Sequence, residues 1–167
     1  MALIVENGSN IANADSYISQ ADAVTLAAKY GWDFPDEAGS EIPLRNAALY
    51  LEKYRNNYQG SKVYSDQSLQ WPRDPVYIDD VYNEPDVIPQ ALINAQVAIA
   101  SAIHDGANIF GTSFGNVTSR SVGDVSVTTG NNGSISNAAY MGIVNEFLKP
   151  IFKNPQNGLL EFSVCRA

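Results

Sequence analysis

Residues 89–104 read PQALINAQVAIASAIH, and their reading decides the fold. Pro89 suits an early helical position, where its missing N–H would have no partner in any case. Ala91, Leu92, Ala95, Val97, Ile99, Ala102 and Ile103 then place apolar side chains on most sides of a helix that Gly106 closes. A helix that is apolar all round belongs in a core, so this one is expected at the centre of the domain. His104 falls at its C-terminal end, where a protonated imidazole would meet the negative end of the helix dipole. That role is preferred to a catalytic one.

The segments before it supply partners. Ser19 and Asp22 have the spacing of a capping box, and Gly31 stands where a left-handed residue closes a helix, which predicts a helix from Ser19 to Tyr30. A second helix is predicted from Ser40 to Gln59, with Pro43 in its first turn and Gly60 as its stop. Leu44, Ala47, Ala48, Leu51, Tyr54 and Tyr58 form its apolar face. Tyr50, Tyr54 and Tyr58 make an i, i+4, i+8 stripe, read as half core and half interface. Between this helix and the central one lies LQWPRDPVYIDD, residues 69–80. Pro72 and Pro75 stiffen it as a connector, Trp71 is expected to anchor it to the helices, and Arg73 is expected to pair with Asp74 or Asp79. Trp71, Pro72 and Arg73 are thus read as a structural anchor.

Beyond the central helix the period changes. Residues 117–129, VTSRSVGDVSVTT, alternate about a Gly-Asp turn and predict a β-hairpin carrying Val117, Arg120, Val122, Val125 and Val127. A fourth helix is predicted over about Asn137 to Leu148, ended or kinked by Pro150. Leu160, Phe162 and Val164 alternate as a strand would, and a strand at a terminus needs another to pair with. The expectation is a mainly α, four-helix bundle-like domain spanning 1–167. Its helical body covers about 14–110 and 135–152, its projecting hairpin 117–129, and its extended C-terminal tail 158–167.

Composition narrows the function. The chain is 45% hydrophobic and 17% charged, ordinary for a globular protein. Cys165 is the only cysteine and His104 the only histidine, which excludes an intrachain disulfide and Cys- or His-rich metal sites. No phosphate-binding glycine loop, nucleophile elbow or zinc-protease motif occurs. The acids Asp79, Asp80, Glu84 and Asp86 miss the spacing of a calcium loop and are read as a solvated acidic loop. No catalytic residue, metal or cofactor is therefore expected, and no membrane span. The net charge is −8, with seven acids against two bases in residues 61–110. Nucleic-acid binding rests on a basic footprint, and no stretch of the chain supplies one.

Several stretches carry a resemblance: MALIVENG, ADSYISQADA, ALYLEKYRNNYQGSKV, QSLQWPRDPV, VIPQALINAQVAIA and the final VCRA. In this order they resemble tailed-phage head–tail connector (adaptor) proteins, a family often labelled DnaT-like single-stranded-DNA-binding proteins. The resemblance implies a structural virion protein of the head–tail neck, assembled in the host cytoplasm as a homo-oligomeric, commonly dodecameric ring. It would sit below the portal protein, join it to a tail-side nozzle or tail-terminator protein, and leave a channel that DNA passes without specific binding. By the same resemblance Leu159, Leu160, Phe162, Val164 and Arg166 would dock on the portal, and the hairpin would reach a neighbouring subunit. The alternative is a single-stranded-DNA-binding protein of phage replication, with Trp71, Arg73 and the Tyr50/Tyr54/Tyr58 stripe as stacking groups.

Overall fold

The computed structural model describes residues 2–36, 39, 41–107, 119–122, 125–128 and 137–153. Among these residues four α-helices form: α1 (Gln20–Tyr30), α2 (Glu41–Leu51), α3 (Gln90–His104) and α4 (Asn137–Leu148). Single 3-10 turns extend α2 over Glu52–Tyr54 and α4 over Lys149–Ile151. Three antiparallel two-stranded sheets accompany them: β1 (Ser61–Lys62) with β2 (Arg73–Asp74), β3 (Val76–Ile78) with β4 (Val81–Asn83), and β5 (Ser119–Val122) with β6 (Val125–Thr128).

α3 packs against α1, α2 and α4. Leu92, Ala95 and every residue from Val97 to Ala100 are fully buried on it. One polar residue lies among them. Gln96, also fully buried, accepts the Tyr17 N–H at 3.0 Å and donates to Ser16 Oγ and to the Leu44 carbonyl, both at 2.9 Å. It thereby ties the approach to α1 and the body of α2 to the central helix, and all its hydrogen-bonding capacity on that side is used. α1 begins on the capping residue its sequence carries: Ser19 Oγ accepts from Asp22 N at 3.2 Å, and Gly31 closes the helix at φ 70°.

The four-helix bundle-like expectation is overturned in two places. α2 ends at Leu51, with only a 3-10 turn beyond it, rather than running to Gln59. Backbone groups that a longer helix would use internally pair instead with the segment after α4: Gln59 N donates to Ile151 O at 3.0 Å, and Lys153 N to Asn57 O at 2.7 Å. The stretch between α2 and α3, read as a connector and an acidic loop, forms two sheets. Asp79 and Asp80 are the tight turn of β3–β4, at φ 50° and 65°, the left-handed pair of a two-residue hairpin. The peptide bonds before Pro72 and Pro75 are both cis.

The 117–129 hairpin is present as β5–β6, with Arg120 opposite Val127 and Val122 opposite Val125. Val117, the Gly123–Asp124 turn and the tail residues Leu159, Leu160, Phe162, Val164 and Arg166 lie outside the described residues. No helix among the described residues is long and apolar enough to cross a membrane.

Candidate nucleic-acid interface

Trp71, Pro72 and Arg73 are all buried. Trp71 sits edge-on to Tyr58, ring centroids 5.8 Å apart, and its backbone N–H donates to Tyr17 Oη at 3.3 Å. Its indole Nε1 finds no acceptor among the described residues. Arg73 does not use a carboxylate. Its Nε donates to Gln59 O and its Nη2 to Gly60 O, both at 2.7 Å, while Nη1 reaches Gln70 Oε1 at 3.2 Å. Turn carbonyls that no helix or strand would satisfy are the acceptors, because Arg73 enters the fold beside the turn that follows α2. The exposed Asp74 has another partner, accepting from Tyr82 Oη at 2.6 Å. That bond pushes the Tyr82 phenol up to about 12.

The stacking groups named for DNA are accordingly not at the surface. Trp71 and Tyr58 are fully buried, Tyr50 and Arg73 nearly so, and only Tyr54 keeps part of its ring in solvent. Tyr58 Oη donates to the Leu51 carbonyl at 3.0 Å. Burial holds the Tyr17 and Tyr58 phenols well above the ordinary tyrosine value, with Glu52 adding to the effect. In the unfolded chain both would ionise near pH ~10. Their neutral forms therefore stabilise the fold fully below about pH 10, and that stability drains as pH rises further. The expected slope is roughly 1.4 kcal/mol per pH unit for each tyrosine. Urea midpoints should hold from pH 8 to 9 and fall steeply beyond ~10, and Tyr58→Phe should flatten the fall.

A different surface has the chemistry that the buried groups lack. The bridge between Tyr58 and Phe152, together with the two backbone bonds above, pairs residues 57–59 with 151–153, and the turn before them reaches this pairing through the Tyr54 ring against Phe152. Lys53, Arg55, Lys149 and Lys153 are all exposed there, four of the chain's ten lysines and arginines. Between them lie the half-buried rings of Tyr54 and Phe152, 5.4 Å apart. Lys53 Nζ stands 4.1 Å over the Tyr50 ring and 5.1 Å from the Tyr54 centroid, and donates to Tyr50 Oη at 2.6 Å. Lys153 Nζ donates to Asn56 O at 3.3 Å. Of the neighbouring acids, Glu52 is occupied by Gln70, whose Nε2 and backbone N donate to it at 2.7 and 3.0 Å. Glu146 lies 3.9 Å from Lys149, both side chains largely in solvent, where such a pair is worth little.

Counting charge along the chain misses this patch because its two halves are almost a hundred residues apart. The Tyr54 periodicity and the KPIFK run at 149–153 were visible, but nothing local says that they meet. Among the described residues no group of acids, His or Cys is arranged to hold a metal ion.

A family model described as "Putative DnaT-like ssDNA binding protein" matches residues 1–167. The chain belongs to this family. No curated protein and no solved structure matches it. The DnaT-like description agrees with the second of the two functions considered from sequence.

Proposed function

We propose that the protein binds single-stranded DNA without base specificity, through the patch formed by Lys53, Tyr54, Arg55, Lys149, Phe152 and Lys153. The observation that carries this reading is the pairing of residues 57–59 with 151–153, with Tyr54 against Phe152, which brings together two short segments that carry or adjoin the four cations. The family description supports the ligand. Cations can neutralise phosphates there, and the exposed parts of Tyr54 and Phe152 offer apolar area to bases. The net charge of −8 sets the scale. With repulsion from the rest of the surface, affinity belongs at the weak end of non-specific binding, around 10⁻⁵ M at low salt. Three or four neutralised phosphates give a log–log salt slope of about −2 to −3 on a single strand.

Fluorescence anisotropy with labelled oligo-dT checks this. Replacing Lys53, Arg55 and Lys153 together by Ala should weaken binding by tenfold or more (about three lost phosphate contacts) and flatten the slope by about 2. All three side chains are exposed, so the fold should tolerate the change. Unaltered affinity in the triple variant, or no binding at low salt by the parent, sinks the reading.

A second reading is a subunit of a phage head–tail connector ring, docking on the portal protein. It is supported by the sequence resemblance and by the acidic net charge, which would let DNA pass a channel without sticking. Electron microscopy of the protein mixed with portal separates the two. Rings on the portal, with no oligo-dT binding, would favour the connector.

A further inference from the structure

The β3–β4 hairpin presents a second surface with opposite chemistry. Its two-residue turn makes Ile78 and Val81 the first hydrogen-bonded pair, so Tyr77 and Tyr82 form the non-hydrogen-bonded pair whose N–H and C=O groups point away from the ladder. On the β3 side those groups are capped. The Gln59 side-chain amide takes both, accepting from Tyr77 N at 3.1 Å and donating to Tyr77 O at 3.0 Å, as a neighbouring strand would. On the β4 side no such cap is present for Tyr82 among the described residues. The hairpin also keeps apolar area in solvent: Tyr77 is 52%, Tyr82 41% and Val81 68% exposed. The two tyrosine rings lie 5.6 Å apart on one face.

Charge says what could cover it. Asp74, Asp79, Asp80, Glu84 and Asp86 surround the hairpin and are all exposed, and no lysine or arginine occurs from residue 74 to 119. Phosphate is repelled from such a surface, and a second copy's β4 would bring acid against acid. We propose that the outer edge of β4 docks an extended, arginine- and lysine-rich segment of a partner protein, which adds as a third strand. The Tyr82 N–H and C=O supply the strand-like pairing. The tyrosine face accepts guanidinium groups by cation–π contact, and the acids set the sign of the partner.

The test uses the full chain, labelled for amide NMR and titrated with three probes. These are a peptide of about eight residues alternating Arg and Val, its Glu–Val counterpart, and oligo-dT of similar length. The Arg–Val peptide should bind, protect the Tyr82 amide from exchange, and weaken about tenfold as salt screens the contact. Changing Asp79→Asn, Asp80→Asn and Glu84→Gln together should weaken it about tenfold further. Asn tolerates the left-handed turn, so the hairpin should persist. Tyr82→Pro, which removes the outward-facing N–H together with the ring and its bond to Asp74, should abolish the strand addition, whereas Tyr82→Phe, which keeps the N–H and the ring, should retain it. Four outcomes overturn the proposal: no binding, equal binding of the Glu–Val peptide, binding without protection of the Tyr82 amide, and hairpin shifts caused by oligo-dT or by protein concentration alone. The DNA reading fails or stands at residues 53–57 and 149–153, so the two results are separable in one set of spectra.

Discussion

Trp71→Ala is expected to destabilise the fold by about 3–5 kcal/mol while leaving affinity for oligo-dT unchanged. The indole is fully buried between the turn after α2 and the helices, in edge contact with Tyr58. Its removal leaves a large cavity in a region that cannot close easily, because Arg73 next to it holds the Gln59 and Gly60 carbonyls in place. Trp71→Phe should cost less, about 1–2 kcal/mol. It removes part of the ring volume but also an indole N–H that finds no acceptor among the described residues. Urea unfolding and anisotropy on the same samples decide the matter. A loss of DNA affinity with stability intact would put Trp71 at the binding surface and contradict its burial.

Gly8→Ala should be nearly as damaging, at roughly 2–5 kcal/mol when a strained backbone and overpacking add. Gly8 has φ 102°, and a Cβ there would stand 1.8 Å from the Asp86 carbonyl oxygen and 2.4 Å from its carbon. Both are backbone atoms, so no side-chain rotation relieves the clash. The loop cannot swing aside freely either. The buried Glu6 carboxylate accepts the N–H groups of Gly8, Asn10 and Ile11 at 2.8, 3.1 and 2.9 Å, which holds residues 6–11 as one unit. The loop must therefore lift as a body from the segment that leads into α3. Thermal unfolding should show a midpoint lowered by several degrees or more (roughly 4–8 °C per kcal/mol for a small domain, less for a larger one). Amide exchange should show residues 6–16 opening first. An unchanged midpoint would mean that the loop does not rest on Asp86.

Elements that a single face of local sequence defines were legible. Ser19 with Asp22 and Gly31 bounded α1 because caps act on the backbone within one turn. The apolar run of 91–103 identified α3 as central because each of its sides must be buried against something. The bounds of α4 followed from its periodicity up to Pro150, and the β5–β6 register from a turn between alternating residues.

The strands of two and three residues between α2 and α3 were not legible. So short a strand shows no alternation to read, and its pairing is decided by which distant groups reach its edge. Gln59 illustrates this. Its place in the sequence suggests the end of a helix, yet its side-chain amide completes the edge of β3 and its backbone pairs with Ile151. The same limit hid Arg73's carbonyl partners and the basic patch.

What the sequence determined by itself was the presence of the four helices, the caps of α1, the central place of α3 and the acidic balance of the chain. These depend on residues within a turn or two of each other, or on simple sums. Tertiary structure alone decided that Trp71 and Tyr58 are core rather than ligand contacts. It also decided that residues 57–59 pair with 151–153, and that one edge of the β3–β4 hairpin is covered while the other has no cap among the described residues. Each of these turns on hydrogen bonds between segments far apart in the chain, and such bonds leave no periodic trace in either segment.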